Sequence, residues 1–81
     1  MDKDDKEYRK IIETVIYNIK KFDEDVKFAN KLLSEKTGID PATICRIKKG
    51  KCVTIKNCVK LSKAMKTTPR KLLFKKIKRN K

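Results

Sequence analysis

The chain contains no histidine, and its 81 residues include only two glycines. Histidine is the commonest general base, and without it neither Ser34 nor Ser62 has a recognisable group to activate it. Gly38 and Gly50 are too isolated to form a phosphate-binding loop. These absences predict that the protein is not an enzyme.

Cysteine is scarce and its spacing is uninformative for metal binding. Cys45, Cys52 and Cys58 are separated by seven and six residues, which matches no common zinc pattern. We therefore expect no metal and no cofactor, and an odd number of cysteines predicts free thiols in a reducing compartment. Because oxidation of Cys45 would alter the surface on which it lies, a redox role for it stays open.

Long apolar runs are also missing. No stretch of about 20 apolar residues is present to span a membrane, and the sequence shows no charged-then-apolar leader, so a cytoplasmic location is expected. No internal repeat or low-complexity linker divides the sequence. Its length suits one domain with a thin core.

Acidic residues are absent from the second half of the chain. Residues 1–40 hold 9 Lys and Arg and all 10 Asp and Glu, whereas residues 41–81 hold 15 Lys and Arg. Lysines that merely keep a surface soluble explain part of the net charge of +14, but not its one-sidedness. This asymmetry favours nucleic acid or an anionic membrane as the partner.

Apolar periodicity predicts a first amphipathic helix from Lys6 that forms the back wall of the core. Its apolar residues recur at spacings of three and four: Tyr8, Ile11, Ile12, Val15, Ile16, Ile19 and Phe22. Residues 1–7 are expected to be a disordered N-terminus. The acidic run 23–25 interrupts the period and offers capping oxygens to a second helix that carries Phe28, Leu32 and Leu33 as far as Thr37.

The centre of the chain predicts two helices joined by a tight turn. Gly38 can end the second helix, Asp40 can cap the third, and Pro41 suits the first turn of that helix. One set of apolar residues would face inward: Leu33, Ile39, Ile44 and Ile47. Such a connection of three or four residues is typical of a helix-turn-helix, although an ordinary helical hairpin in a small bundle is the alternative.

Two shorter helices are predicted downstream. Gly50 can end the third helix, and Thr54 can cap a fourth whose inward positions are Ile55, Cys58, Val59, Ser62 and Met65. A fifth helix starts at Pro69, capped by Thr68, and ends near Leu72 or Leu73. The tail 74–81 could be a solvated basic arm, could extend the fifth helix with Phe74 and Ile77 on its apolar side, or could lie on a membrane surface.

The stretch LLSEKTGIDPATICRIKKGK, residues 32–51, resembles the Cro/C1-type (XRE-like) helix-turn-helix family. The matching residues are Leu33, Ser34, Gly38, Ile39, Thr43, Ile44, Arg46, Ile47 and Gly50, and Asn30 stands where the family has Gln. Cys45 replaces the usual Ser, and Lys48 replaces an acidic residue. The resemblance covers residues 8–73 and implies an all-α, five-helix, lambda-repressor-like DNA-binding domain.

The resemblance also locates some boundaries and core positions. It implies that the second helix starts near Ala29, but Ala29 is a poor cap, so a start near Asp25 is the alternative. Cys58 occupies a position that is aliphatic in relatives and is expected in the core, whereas Cys45 and Cys52 are expected to be exposed.

The family's mode of binding implies roles for particular residues. The third helix would enter the major groove by its N-terminal end, with its base-reading residues at Pro41, Ala42, Thr43 and Arg46. Pro41 departs from the pattern because it has no donor. Asp40 is expected to act only as a helix cap, and the expected phosphate-binding residues are Asn30, Lys48, Lys49, Lys51 and Lys56.

These implications predict a sequence-specific regulator of transcription that binds double-stranded DNA, of the kind found as small phage or plasmid repressors. A domain this small reads few base pairs, so a homodimer formed through the fifth helix and the tail is expected on the operator. One alternative is the DNA-binding antitoxin of a toxin–antitoxin pair, whose partner is a protein. Another is a general binder of RNA or membranes without sequence preference.

Overall fold

The computed structural model describes residues 3–76, with side chains from residue 5 onward. Within this range the protein is all-α, with five helices and no strand: α1 Lys3–Asp25, α2 Ala29–Thr37, α3 Pro41–Lys48, α4 Ile55–Ala64 and α5 Pro69–Phe74. The predicted number and order of helices are confirmed. No helix in the described range is long and apolar enough to cross a bilayer.

The longest helix, α1, forms one wall of the core. It packs against α2, α3 and α5, and it buries Val15, Ile19 and Phe22. Side chains from all five helices meet there, including Leu33, Ile44, Leu61 and Leu72. The predicted back wall is confirmed, although Tyr8 at the start of the apolar pattern stays 64% exposed.

Both ends of α1 lie outside the predicted bounds. The helix already includes residues 3–7, for which we expected disorder, and it continues through the acidic run 23–25. The N–H of Val26 still donates to the carbonyl of Phe22 at 3.0 Å. Glu and Asp are tolerated inside a helix that packing holds in place, so acidic residues alone did not end it. The expectation that this run supplies the capping oxygens of the next helix is wrong, because Phe28 occupies the position before α2.

The chain reverses at Phe28 rather than at the acidic run. Phe28 has a φ of 55° and precedes α2, with no side-chain hydrogen bond capping the helix. The α2 helix therefore begins at Ala29, as the family resemblance implied, and the alternative start near Asp25 is wrong. Phe28 was expected to lie within this helix, yet its side chain is 82% exposed.

The predicted helix ends around the central turn are confirmed. Gly38 adopts a φ of 75°, and its N–H donates to the carbonyl of Ser34 at 2.9 Å. Asp40 Oδ2 accepts the N–H of Ala42 at 3.0 Å, and Pro41 follows as the first residue of α3. Only residues 38–40 separate α2 from α3.

Threonines cap the last two helices, also as predicted. Thr54 Oγ1 accepts the N–H of Asn57 at 3.1 Å, and Thr68 Oγ1 accepts that of Lys71 at 3.2 Å. Cys58 and Ser62 face the core from α4. Ile55, which the same pattern placed inward, is 71% exposed at the start of the helix.

A buried amide fixes the end of α5 against α1. Asn18 is 1% exposed, and its Nδ2 donates to the carbonyls of Leu72 and Lys75 at 2.8 and 2.9 Å. Lys75 itself is extended, with φ −130° and ψ 132°. The fifth helix thus ends at Phe74, one residue into the predicted tail, and the alternative that extends it onward is wrong at Lys75. Ile77 lies outside the described residues.

Two helices end in the same hydrogen-bonded motif but use different residues. At the end of α3, Gly50 has a φ of 86° and the N–H of Lys51 reaches back to Arg46 O at 2.8 Å. At the end of α4, the equivalent residue is Lys66, with a φ of 59°. The N–H of Thr67 there reaches Ser62 O at 2.8 Å. A left-handed conformation costs a non-glycine residue about 1–2 kcal/mol, so Lys66 is strained where Gly50 is not.

We expect Lys66→Gly to raise the free energy of unfolding by about 0.5–1 kcal/mol, because the relieved strain exceeds the added chain entropy of glycine. Gly50→Ala is the matched opposite case. The alanine would have to adopt the strained φ, and its Cβ would lie 3.4 Å from Ile12 Cγ2. Urea unfolding should show the two variants shifting the midpoint in opposite directions. A destabilised Lys66→Gly protein would contradict the assignment of strain.

Candidate nucleic-acid interface

The short helix α3 has one buried face and one exposed face. Ile44 and Ile47 are completely buried, while Pro41, Ala42 and Arg46 are exposed and Thr43 is half-buried. The predicted inward set is confirmed for Ile44 and Ile47, and also for Leu33 and Ile39. All four residues expected to read bases therefore have accessible surface on one short helix.

Side chains of α2 fix the turn that leads into α3. Ser34 Oγ donates to the carbonyl of Ile39 at 2.7 Å, and the N–H of Ile39 donates to Thr37 Oγ1 at 3.0 Å. Thr37 Oγ1 in turn donates to the carbonyl of Leu33 at 2.6 Å. Together with the buried Ile39 side chain, these bonds fix the direction in which α3 leaves the turn.

Arg46 is the most versatile polar group on the exposed face. Its backbone carbonyl is occupied by the N–H groups of Lys49 and Lys51, which end the helix. Its guanidinium has no hydrogen bond or ion pair within residues 5–76. A planar guanidinium with five donors can therefore bind two acceptors side by side without first breaking an internal contact.

Lys48 differs from the other lysines that were expected to bind phosphate. Its ammonium is ion-paired with Asp23 of α1 and hydrogen-bonded to Asn30 Oδ1, and its side chain is only 17% exposed. Lys49, Lys51 and Lys56 are exposed. A phosphate that bound Lys48 would have to compete with the Asp23 carboxylate.

Asp23 is the residue of this cluster that the sequence did not reveal. Its side chain is 28% exposed, and its second carboxylate oxygen, Oδ1, is buried without a hydrogen-bond partner among the described residues. Asp23 is four residues after Ile19, which does place it on the inner side of α1. No local pattern connects it with Lys48, because the contact joins elements that are distant in sequence.

Asn30 links this cluster to the outer surface of α3. Its Oδ1 accepts from Lys48, and its Nδ2 donates to Cys45 Sγ at 3.7 Å. A side-chain amide has two N–H donors, so one of them is not used in this sulfur contact. Asn30 is half-buried and keeps a donor for an external acceptor such as a phosphate oxygen.

From the start of α3 to residue 76, every charged residue of the chain is basic. Residues 41–76 include 12 Lys and Arg and no acidic residue. Of the two acids in contact with α3, Asp40 is engaged with the N–H of Ala42 and Asp23 with Lys48. These two carboxylates are therefore held in contacts within the protein, and the positive charge that would attract a polyanion lies in the chain from α3 onward.

The cysteines lie where the sequence predicted. Cys45 and Cys52 are exposed, Cys58 is buried, and all three are free thiols. Burial raises the pKa of the Cys58 thiol, which keeps it protonated and unreactive at neutral pH. No group of three His, Cys, Asp or Glu side chains comes together as a metal site within the described range.

No protein-family model, curated protein or solved structure matches this chain. A function for the surface of α3 must therefore be argued from its own geometry and charge.

We expect the Asp23–Lys48 pair to show a coupling energy of about 1 kcal/mol or more, because partial burial reduces solvent screening and neither group is fully hydrated. The measurement is a double-mutant cycle in urea unfolding with Asp23→Asn and Lys48→Met. The exposed Lys21–Glu24 pair, 4.0 Å apart, is the matched control and should couple by less than about 0.5 kcal/mol. Equal coupling in both pairs would mean that Lys48 is as free to bind a phosphate as a surface lysine is.

Proposed function

We propose that this protein is a sequence-specific regulator of transcription that binds double-stranded DNA through a helix-turn-helix formed by α2 and α3. In this proposal α3 enters the major groove, which admits a single α-helix. The protein then acts by occupying an operator, as a small repressor does.

The observation that carries the proposal is the guanidinium of Arg46, which has no partner among the described residues, on a helix whose opposite face is buried in the core. Because Ile44 and Ile47 are fully buried, α3 cannot rotate to present a different set of side chains. Arg46 can donate two parallel hydrogen bonds to O6 and N7 of one guanine. The exposed Ala42 and the Thr43 methyl are suited to contact a thymine methyl, whereas Pro41 offers only an apolar surface.

The contacts around Lys48 refine the expected set of phosphate-binding residues. We assign phosphate contacts to Lys49, Lys51 and Lys56, which are exposed and follow the buried part of α3. Lys48 is assigned instead to holding α1, α2 and α3 together through Asp23 and Asn30. Asn30 can still use a free amide hydrogen on the backbone of the DNA.

Arg46→Ala is expected to cost about 1–3 kcal/mol of binding free energy on the preferred duplex and to relax the preference at one base pair. The loss should be much smaller on a scrambled duplex, because the guanine contact is absent there. The preferred duplex is first obtained by selection from random DNA at physiological salt. Competition titrations with both duplexes then give the two free energies.

Lys51→Ala is the matched control, because it removes one positive charge just beyond the end of the same helix. It should weaken both duplexes alike and reduce the slope of log affinity against log salt by about 0.9. If Arg46→Ala weakened both duplexes equally, Arg46 would be a phosphate contact and the base-reading assignment would be wrong. If the selection yielded no preferred sequence, a general binder of polyanions would replace the proposed regulator.

The surface proposed for dimerisation lies between α1 and α5. Phe74 is 62% exposed, and Leu73 and Ile11 beside it line a shallow cleft of about 330 Å³ together with Glu7 and Lys10. Leu72, which lies on the same helix, is completely buried in the core and adds nothing to this surface. Phe74 is therefore the centre of the apolar patch.

Phe74→Glu is expected to convert a dimer into a monomer, because it places a charge at the centre of the proposed apolar contact. Sedimentation of the free protein and of its complex with the preferred duplex gives the number of chains in each. Phe28→Glu is the control, since Phe28 is also an exposed aromatic residue, at 82%, and does not line this cleft. A wild-type protein that stays monomeric both free and on DNA would contradict the dimer.

A further inference from the structure

A second concave surface lies away from α3, between the end of α1 and the helices α2, α4 and α5. It is a groove of about 610 Å³, within the range of about 300–1,000 Å³ that is typical of sites for small molecules. No residue of α3 lines it. The groove is therefore separate from the surface proposed to bind DNA.

The floor of the groove is apolar and recessed. Phe22 and Met65 are almost fully buried beneath it, and Val26 and Leu32 are half-buried at its sides. A flexible hydrocarbon chain can reach such a floor, and each buried methylene adds to binding. A flat bilayer cannot reach it, because the apolar side chains do not protrude.

All the charged residues described on the rim of the groove are basic. Five lysines line it, Lys36, Lys66, Lys71, Lys75 and Lys76, and no described residue in the lining is acidic. Ammonium groups on a flexible stem suit a phosphate or carboxylate as point charges. Charge and shape together require an occupant that has an apolar body and an anionic head.

Lys66 adds an observation that is independent of the groove's shape. Lys66 occupies the left-handed position at the end of α4. The corresponding residue at the end of α3 is Gly50, and glycine adopts this conformation without strain. Phe28 and Cys52 also hold a left-handed φ, so this strain alone does not mark a site, but Lys66 is the one of the three that lines the groove. The strained end of α4 thus brings a lysine to the rim, where an anionic group would be bound.

Charge also argues against two other occupants. The residues that follow the described part of the chain, 77–81, add Lys78, Arg79 and Lys81 and no acid, so the protein's own tail does not complement the rim. A second copy packed symmetrically on this face would bring five lysines against five lysines. A ligand of opposite charge is needed instead.

We propose that this groove binds a free single-chain amphiphile with an anionic head, such as an alkyl phosphate or a fatty acid. The hydrocarbon chain lies over Val26, Leu32 and Met65, and the head is bound by Lys36, Lys66 and Lys71. The groove is placed where an effector could bind together with DNA. Its occupant would contact the side of α2 opposite Asn30 and would leave α3 exposed. The proposal is independent of DNA binding.

The test is a titration of the full-length protein with octyl phosphate below its aggregation concentration, followed by backbone amide chemical shifts. Saturable shifts are expected at Val26, Leu32, Met65 and Lys66. Decyl phosphate should bind up to about 15-fold more tightly, because each added methylene contributes up to about fourfold when fully buried. Methyl phosphate, which has the head alone, and octyl glucoside, which has the tail with an uncharged head, should each bind at least about tenfold more weakly.

Variants separate the charge of Lys66 from its backbone strain. Lys66→Gln keeps the strain and removes the charge, and it should weaken octyl phosphate about three- to tenfold. Lys66→Gly should weaken binding by a similar factor while raising the melting temperature. Lys31→Gln removes a charge from the exposed side of α2 outside the groove, and it should change the affinity by less than about twofold.

Three results would overturn the proposal. One is equal binding of methyl phosphate and octyl phosphate, which would mean that the apolar floor is not used. Another is an equal effect of Lys31→Gln and Lys66→Gln, which would indicate general attraction to a basic surface. The third is perturbation of the groove residues by vesicles of anionic phospholipid but not by the free amphiphile, which would assign the face to a membrane.

Discussion

The burial of Ile44 and Ile47 is the contact on which the candidate interface depends. The α3 helix has only eight residues, far fewer than the roughly 12–15 that an isolated helix needs to be even marginally stable in water. It exists because these two side chains are fully buried against the other helices. The same burial fixes its rotation, so the residues that face outward are set by the core.

The helix ends were the most predictable part of the fold, because the residues that cap a helix or form a turn lie within a few positions of it in the sequence. Asp40, Thr54 and Thr68 each cap the helix that the pattern assigned to them, and Gly38 ends the second helix. Each of these signals needs only the residues within one turn. At the boundary between α1 and α2 the local pattern pointed to the acidic run instead, because Phe28 is a poor choice for a left-handed residue and gives no signal that a helix begins after it.

The candidate site was predictable in its outward residues but not in its internal contacts. Spacing of three along α3 identified Ile44 and Ile47 as buried, which left Arg46 exposed by elimination. The pairing of Lys48 with Asp23 could not be found in the same way, because every lysine of the basic half has the same local sequence signal. Likewise, nothing in the sequence separated Leu72, which is buried, from Leu73 beside it.

The two surfaces proposed as binding sites would attract anions for different physical reasons. Each surface would therefore select a different class of ligand. The outer face of α3 bears the Arg46 guanidinium, which has no partner in the described part of the chain and in the proposal would reach base edges in a groove about 12 Å wide. The groove between α2 and α5 is concave, with lysines around an apolar floor. A duplex is too wide to enter that groove, and no residue of α3 lines it. Both ligands could therefore be bound at once, with α2 as the element that contacts each of them: Leu32 and Lys36 toward the groove, and Asn30 toward α3.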